Sequence, residues 1–367
     1  MVKNMDLENL FRENLKKYVA YETGEIPSGE NWLLLDTNEN PYPPIPEIIK
    51  DLKDAMENPV IFKKYPDPNA LEVRKAILNQ LLRDKETLTN RNTVFVGNDC
   101  DGILEVLFKV FINTGDQIVV FYPTNGIYKA LATLYEAKIN EIKLNDDFSI
   151  PDEVYSVKGK LMFIKSPNDP NGESYHNEQI QKICQHFPGI VIVDEEYADF
   201  SDKTCVSLLK NNKNLIVVRS LTKAFSLAAF RIGFALADAQ IIKEMNRVKL
   251  PYNTTSLAQI AAISCIKHRK KVFEQNEKIL SERKKLVDAL NSYDGVSVQP
   301  SDANFIFIKF ADKSKTLKFI WDLKDLKILT RHFSKPGLYN YIRMTIGTEE
   351  ENSRFLSEFE KIAKKYL

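Results

Sequence analysis

Cysteine is scarce and poorly placed for crosslinking. Cys100, Cys184, Cys205 and Cys265 are the four in 367 residues, with no Cys-x-x-Cys or Cys/His metal spacing. That excludes a disulfide scaffold and a patterned metal site, and it predicts reduced thiols in a cytoplasm. Apolar runs of about 18 residues are missing too, so no membrane span is expected. The opening stretch, MVKNMDLENLFRENLKKY, is charged throughout and lacks an apolar h-region, the pattern of an unexported protein. Neither sign of charge dominates, since 51 basic and 50 acidic residues leave a formal +1. No global field therefore recommends nucleic acid or an anionic membrane as a partner, and small molecules are the expected ligands. Internal repeats and low-complexity tracts are absent as well.

What is present is length and alternation. A chain of 367 residues can bury a large core and form two domains. Apolar runs at 93–97, 117–123, 138–144, 160–166, 189–194, 214–219 and 231–237 are separated mostly by helical patterns. This predicts an α/β unit with helices on both faces of a sheet. Beyond about residue 238 the pattern turns helical, and 270–290 reads as a long, charged amphipathic helix suited to linking two units. The remainder reads strand, strand, helix, strand, strand, helix, a compact α+β unit. The expected divisions are an amino-terminal arm at 1–29 packed on the small domain, a large domain at 30–255 and a small one at 256–367. Leu7, Leu10, Phe11 and Leu15 fall on one face of a helical pattern within that arm.

The chemistry centres on Ser220–Ala235, SLTKAFSLAAFRIGFA. The apolar run before it reads as a buried strand, so Lys223 stands just beyond a strand end, where open α/β sheets carry their ligands. With Ala224, Phe225, Leu227, Ala228 and Ala229 around it, its ammonium is expected to lose solvation and its pKa to fall. That is the condition for a lysine that forms a Schiff base. Ser220, Thr222 and Arg231 suit two hydroxyls and a guanidinium converging on a phosphate. Asp194 directly follows the apolar Val191–Val193, a position costly for a carboxylate unless it meets a cation. A strand-end helix cap is its plainer alternative. The turn Gly97–Gly102 leads into an apolar helical pattern, and amides at such a helix start form an anion site.

Ser-x-Thr-Lys, with Arg eight positions after the Lys and then Ile-Gly-Phe, is similar to the lysine segment of fold-type I pyridoxal-phosphate (PLP) aminotransferases. Within them it most resembles the histidinol-phosphate aminotransferase family. Thr37–Pro44 resembles that family's Asn-Glu-Asn-Pro loop, and Lys63–Asp67 its Arg-Tyr-Pro segment. Gly97–Gly102, Ser166–Gly172 and Val191–Tyr197 follow in family order. The resemblance implies PLP as cofactor, a large domain with a mostly parallel seven-stranded sheet, a small α+β domain and a homodimer. It implies Lys223 as the residue joined to the cofactor and as proton shuttle, with Ser220, Thr222 and Arg231 at the phosphate. Asp99, Cys100 and Asp101 would lie beside that phosphate at the helix start.

Asp194 would face the pyridine nitrogen; a contact of about 3 Å at an effective dielectric near 20 is worth roughly 5 kcal/mol before desolvation. Tyr197 would donate to the cofactor's phenolic oxygen, and Tyr65 would reach the phosphate of the neighbouring subunit. On the substrate side the resemblance implies Tyr21, Asn38, Arg331 at a distal phosphate or carboxylate, and Arg343 at the α-carboxylate, with Asn304 helping to position it.

The chain departs from the family pattern at several of these places. Asp99, Cys100 and Gly102 replace other residues in the Gly-Asn-Gly-Ser-Asp-Glu turn, and Asp99 adds a negative charge close to the phosphate. Asn125 stands where the family stacks an aromatic ring on the cofactor, so either Tyr128 substitutes or an amide face covers the ring. Asp169 stands where an asparagine donates to the phenolic oxygen. It must be protonated, turned away, or replaced in that role by Asn168 or Asn171. The resemblance implies an aminotransferase moving an amino group between glutamate and a small phosphorylated carbonyl compound, imidazole-acetol phosphate or one of dihydroxyacetone-phosphate type. A PLP decarboxylase of a phosphorylated amino acid and a non-catalytic protein of the same fold are the competing readings.

Overall fold

The computed structural model describes residues 7–21, 23–82 and 93–367. Its first strand is β1 (Leu33–Leu35). Each of the seven apolar runs then yields a strand: β2 (Val94–Gly97), β3 (Gln117–Tyr122), β4 (Lys138–Lys143), β5 (Leu161–Lys165), β6 (Ile190–Asp194), β7 (Leu215–Ser220) and β8 (Gly233–Leu236). They form one sheet in the order β2-β8-β7-β6-β5-β3-β4. Strands β3 to β7 run parallel to one another, while β8 is antiparallel to β2 and β7.

Successive side chains enter opposite cores: Met162, Ile164, Val191 and Val193 pack on one face, and Leu161, Phe163, Ile192 and Ile216 on the other. Both faces are buried, so these strands are apolar runs and not alternating ones. The chain passes from β3 to the edge at β4 and then crosses back to β5. That reversal puts a crevice at the carboxyl ends of the central strands, the place where sheets of this kind hold ligands.

The second sheet adds β9 (Val296–Val298), β10 (Phe305–Phe310), β11 (Ile328–His332) and β12 (Tyr341–Thr345), in the order β1-β11-β12-β10-β9. Strand β1 pairs in parallel with β11, although residue 33 lies in the stretch assigned by sequence to the large unit. Period-two burial explains it: Leu33 and Leu35 face the core and Leu34 faces out. The helix Arg269–Leu290 follows as expected, its buried stripe carrying Val272, Ile279, Leu286 and Leu290.

The arm differs from its expectation. Residues 7–17 form two short 3-10 turns, not one amphipathic helix, and Leu7, Leu10 and Phe11 stay exposed. Asn14 donates to the carbonyls of Thr133 (3.1 Å) and Leu134 (2.9 Å), so this part rests on the large-sheet layer. Further along, Glu25 pairs with Lys324 of the small unit at 2.7 Å. Residues 1–6 and 22 of the arm lie outside the described residues. No described helix is long and apolar enough to cross a membrane.

The end of β6 is fixed by a buried charge network. Glu195 accepts from Cys205 N (2.6 Å) and the Thr204 hydroxyl (2.7 Å), and Arg219 of β7 joins Asp199 at 2.6 Å with its Nε 3.8 Å from Glu195. Burial raises the Glu195 carboxyl, an effect that Arg219 opposes. Replacing one member of such a network leaves the other charges uncompensated. Arg219→Met is therefore expected to lower unfolding stability by about 3–5 kcal/mol, read from urea denaturation; a loss below about 1 kcal/mol would show that Arg219 is not needed to hold this strand end.

Candidate active site

The carboxyl ends of β3, β5, β6 and β7, the start of helix Asp99–Phe111 and the loops around β1, β11 and β12 enclose a cavity of about 640 Å³. Tyr21, Asn38, Asp99, Cys100, Asp101, Asn125, Asp169, Tyr197, Lys223, Arg231, Arg331 and Arg343 all line it. Residues far apart in sequence thus meet in one space. Ser220 and Thr222 reach it through Asp99, and Asp194 and Tyr65 are not among the lining residues.

Lys223 enters from the loop after β7. The apolar neighbours expected to enclose it are only partly around its ammonium: Ala224, Phe225 and Leu227 turn into the core, while Ala229 is exposed. The amine instead meets polar groups, donating to the Thr37 carbonyl at 3.0 Å and standing 3.9 Å from Glu196. Asp194, only 2% exposed, ends β6. Its Oδ2 accepts from the Tyr128 hydroxyl (2.7 Å) and from Lys165 Nζ (3.0 Å), and its Oδ1 accepts from Glu196 N (3.1 Å).

Lys165 was not foreseen from the sequence. It ends β5 in direct register with Asp194 and donates to Glu196 at 2.8 Å. Burial works against its charge, but Asp194 and Glu196 raise its pKa well above that of an ordinary lysine. Glu196 is the counterpart. Burial alone would raise its carboxyl, yet Lys165 and then Lys223 outweigh that and bring it down to about 2. A signal for Lys165 existed, namely a charge closing the apolar run LMFI, the same signal that marked Asp194.

Tyr197 keeps its proton, because burial and the nearby Glu196 and Asp169 push its phenol up. Asn38 donates its amide to the Tyr197 oxygen at 3.0 Å, which leaves the phenol's own hydrogen available to the cavity. Asn38 is itself held by Thr345 of β12 and by Asn304. Cys100 is buried, and burial, then Asp194 and Asp99, raise its thiol well above the ordinary range.

Tyr128 is fully buried, stacked on Phe163 at 4.9 Å and bonded to Asp194, so it does not cover the cavity. Asn125 does line it, with its side-chain Oδ1 accepting from Ile127 N at 3.0 Å. Asp169 turns toward β12, where it pairs with Arg343 at 2.5 Å. Of the two asparagines offered as its replacement, Asn168 is occupied, bonding to Pro123 O, Asn171 and Thr124, while Asn171 accepts from Asn168 and its own Nδ2 is buried without a partner. Arg343 also donates to Asp36 O at 2.5 Å, while its Nε is buried without a partner. Arg331 contacts Thr23 O at 3.4 Å on the same wall. Tyr21 is 46% exposed at the mouth, its phenol raised by burial and then by Asp169. Tyr65 is 78% exposed and stacks on Tyr252 at 4.3 Å.

At the opposite end, Ser220 and Thr222 hydroxyls and the Arg231 guanidinium converge as the sequence suggests, and the anion they hold is the carboxylate of Asp99. The cavity thus offers a primary amine, a protonated phenol and an anion cup, together with two arginines. Those groups can bind an aromatic aldehyde carrying an anionic arm, together with a second small anion.

The family described as aminotransferase class I and II matches residues 30–359. A histidinol-phosphate aminotransferase of Clostridium botulinum is 36% identical over 96% of this chain and 97% of its own length, and one of Microcystis aeruginosa is 33% identical over 96% and 98%. In fold the chain is similar to the histidinol-phosphate aminotransferase of Sinorhizobium meliloti in complex with pyridoxal-5'-phosphate, with a TM-score of 0.82 over 91% of each chain at 18% identity. The chain belongs to the class I and II aminotransferase family.

Proposed function

We propose that this chain is a PLP-dependent aminotransferase that moves an amino group between glutamate or 2-oxoglutarate and a small phosphorylated carbonyl compound, similar to histidinol-phosphate aminotransferases. The observation that carries this reading is the convergence of Lys223, Tyr197 and the Arg231 cup in one cavity. The residues present fit the cofactor: two hydroxyls and a guanidinium converge on one anionic position, and Lys223 and Tyr197 open onto the same cavity.

In this reading Lys223 would hold the cofactor through its aldehyde carbon, Asp194 would serve the ring nitrogen, Tyr197 would donate to the phenolic oxygen, and Ser220, Thr222 and Arg231 would receive the phosphate. When bound, PLP supplies an electron sink that acidifies the substrate's Cα–H bond. The chain does the rest. Arg343 orients a carboxylate, Arg331 and Tyr21 receive the far anionic end of either substrate, and the Lys223 amine carries the proton at Cα.

We also propose a homodimer in which Tyr65 serves the neighbouring subunit's phosphate; its exposure and its place outside its own cavity support this.

Purified protein with PLP is expected to lose its visible cofactor absorbance on addition of glutamate and to release 2-oxoglutarate; a screen of phosphorylated ketones and aldehydes, imidazole-acetol phosphate included, then names the acceptor. Carbon dioxide release from phosphoserine or phosphothreonine, without 2-oxoglutarate from glutamate, would replace the reading with a decarboxylase. Asp169 competes with a substrate carboxylate for Arg343, so Asp169→Asn is expected to lower the KM for glutamate several-fold, about 1 kcal/mol of binding, with kcat changed less. A rise in KM would show that the pair positions Arg343 and does not block it.

A further inference from the structure

Asp99 begins the helix Asp99–Phe111 with φ +59°, in the left-handed region, and is 2% exposed. Aspartate is among the few side-chain-bearing residues that tolerate this conformation. Gly233 on β8 keeps the turn close to the sheet: a Cβ there would stand 3.2 Å from the Asp99 backbone and 2.7 Å from Arg219 O.

Held this way, the carboxylate collects the donors of the cup. Ser220 Oγ donates to Oδ1 at 2.6 Å and Thr222 Oγ1 to Oδ2 at 2.5 Å. Arg231 reaches Oδ2 at 2.5 Å, and Cys100 N donates to Oδ1 at 2.9 Å. The second Arg231 nitrogen goes to Asp101 at 2.9 Å. To two hydroxyls, an amide and a guanidinium, a carboxylate and a phosphate ester present the same thing, anionic oxygens in acceptor positions. One guanidinium already faces two carboxylates, so a phosphate added beside Asp99 would meet like charge and find its donors spent.

We propose that Asp99 is an internal anion that fills the phosphate cup of the unloaded chain, and that a phosphorylated ligand enters only by displacing its carboxylate. The inference rests on the reading above that this cup takes the cofactor's phosphate. Asp99 also lines the cavity, which gives the displaced carboxylate room to turn while its backbone stays against Gly233. Loading is then an exchange of one anion for another, and the affinity for a phosphorylated ligand is set by what the chain gives up.

The test uses the full chain stripped of cofactor, as wild type, Asp99→Gly and Asp99→Asn. Glycine accepts the positive φ without strain, and asparagine keeps the shape while removing the charge. Equilibrium dialysis measures inorganic phosphate, PLP and, as the ligand lacking a phosphate, pyridoxal. Both variants are expected to bind phosphate and PLP at least about tenfold more tightly than wild type, since even a discounted like-charge term exceeds 1.4 kcal/mol, while pyridoxal shifts less than about threefold. Phosphate bound no more tightly by either variant, each melting as cooperatively as wild type, overturns the proposal. Tighter phosphate in both variants with no uptake of PLP by any form supports the exchange at Asp99 and overturns the cofactor reading instead.

Discussion

The site depends on keeping charge buried at the ends of parallel strands. Asp194 closes an apolar strand at 2% exposure, where a lone carboxylate would be costly. It is sustained by the Tyr128 hydroxyl, the Lys165 ammonium and the Glu196 amide. Each partner has a further duty: Tyr128 stacks in the core on Phe163, and Lys165 ties Asp194 to Glu196. Glu196 then approaches Lys223. The chemistry proposed for Lys223 therefore sits at the end of a chain of paired charges, and the strand register of β5 on β6 sets where that chain begins.

A second regularity follows from the first. Three charged groups that are expected to meet a ligand have an internal counterion among the described residues. Arg231 has Asp99 and Asp101, Arg343 has Asp169, and Asp194 has Lys165. Paired handles are cheaper to bury than bare ones, and a ligand must then better the existing pair to bind. Two of these counterions, Asp99 and Asp169, stand where the chain departs from the pattern of the family it resembles.

Much of this was legible in the sequence because it rests on local rules. Buried parallel strands are apolar runs, so all seven of the large sheet could be counted; Lys223 and Asp194 were conspicuous as charges at the ends of such runs. The helix Arg269–Leu290 and the strand-helix order after it also follow from periodicity. What escaped depends on register and on long-range pairing. Lys165 matters only because β5 lies beside β6 in that alignment. The partner of Asp169 is 174 positions away on β12, and the role of Tyr128 is fixed by a stack on another strand. The arm's helical pattern failed because its apolar face meets solvent among the described residues and gains nothing from forming a helix.

Two buried or half-buried lysines stand near the proposed ring, and only one is argued to bear it. Borohydride reduction of the PLP-loaded protein, followed by digestion and mass analysis of the peptides, tests this most directly. The account predicts a pyridoxyl adduct on the peptide containing Lys223 and none on that containing Lys165. An adduct on Lys165, or no adduct on any peptide, would contradict it.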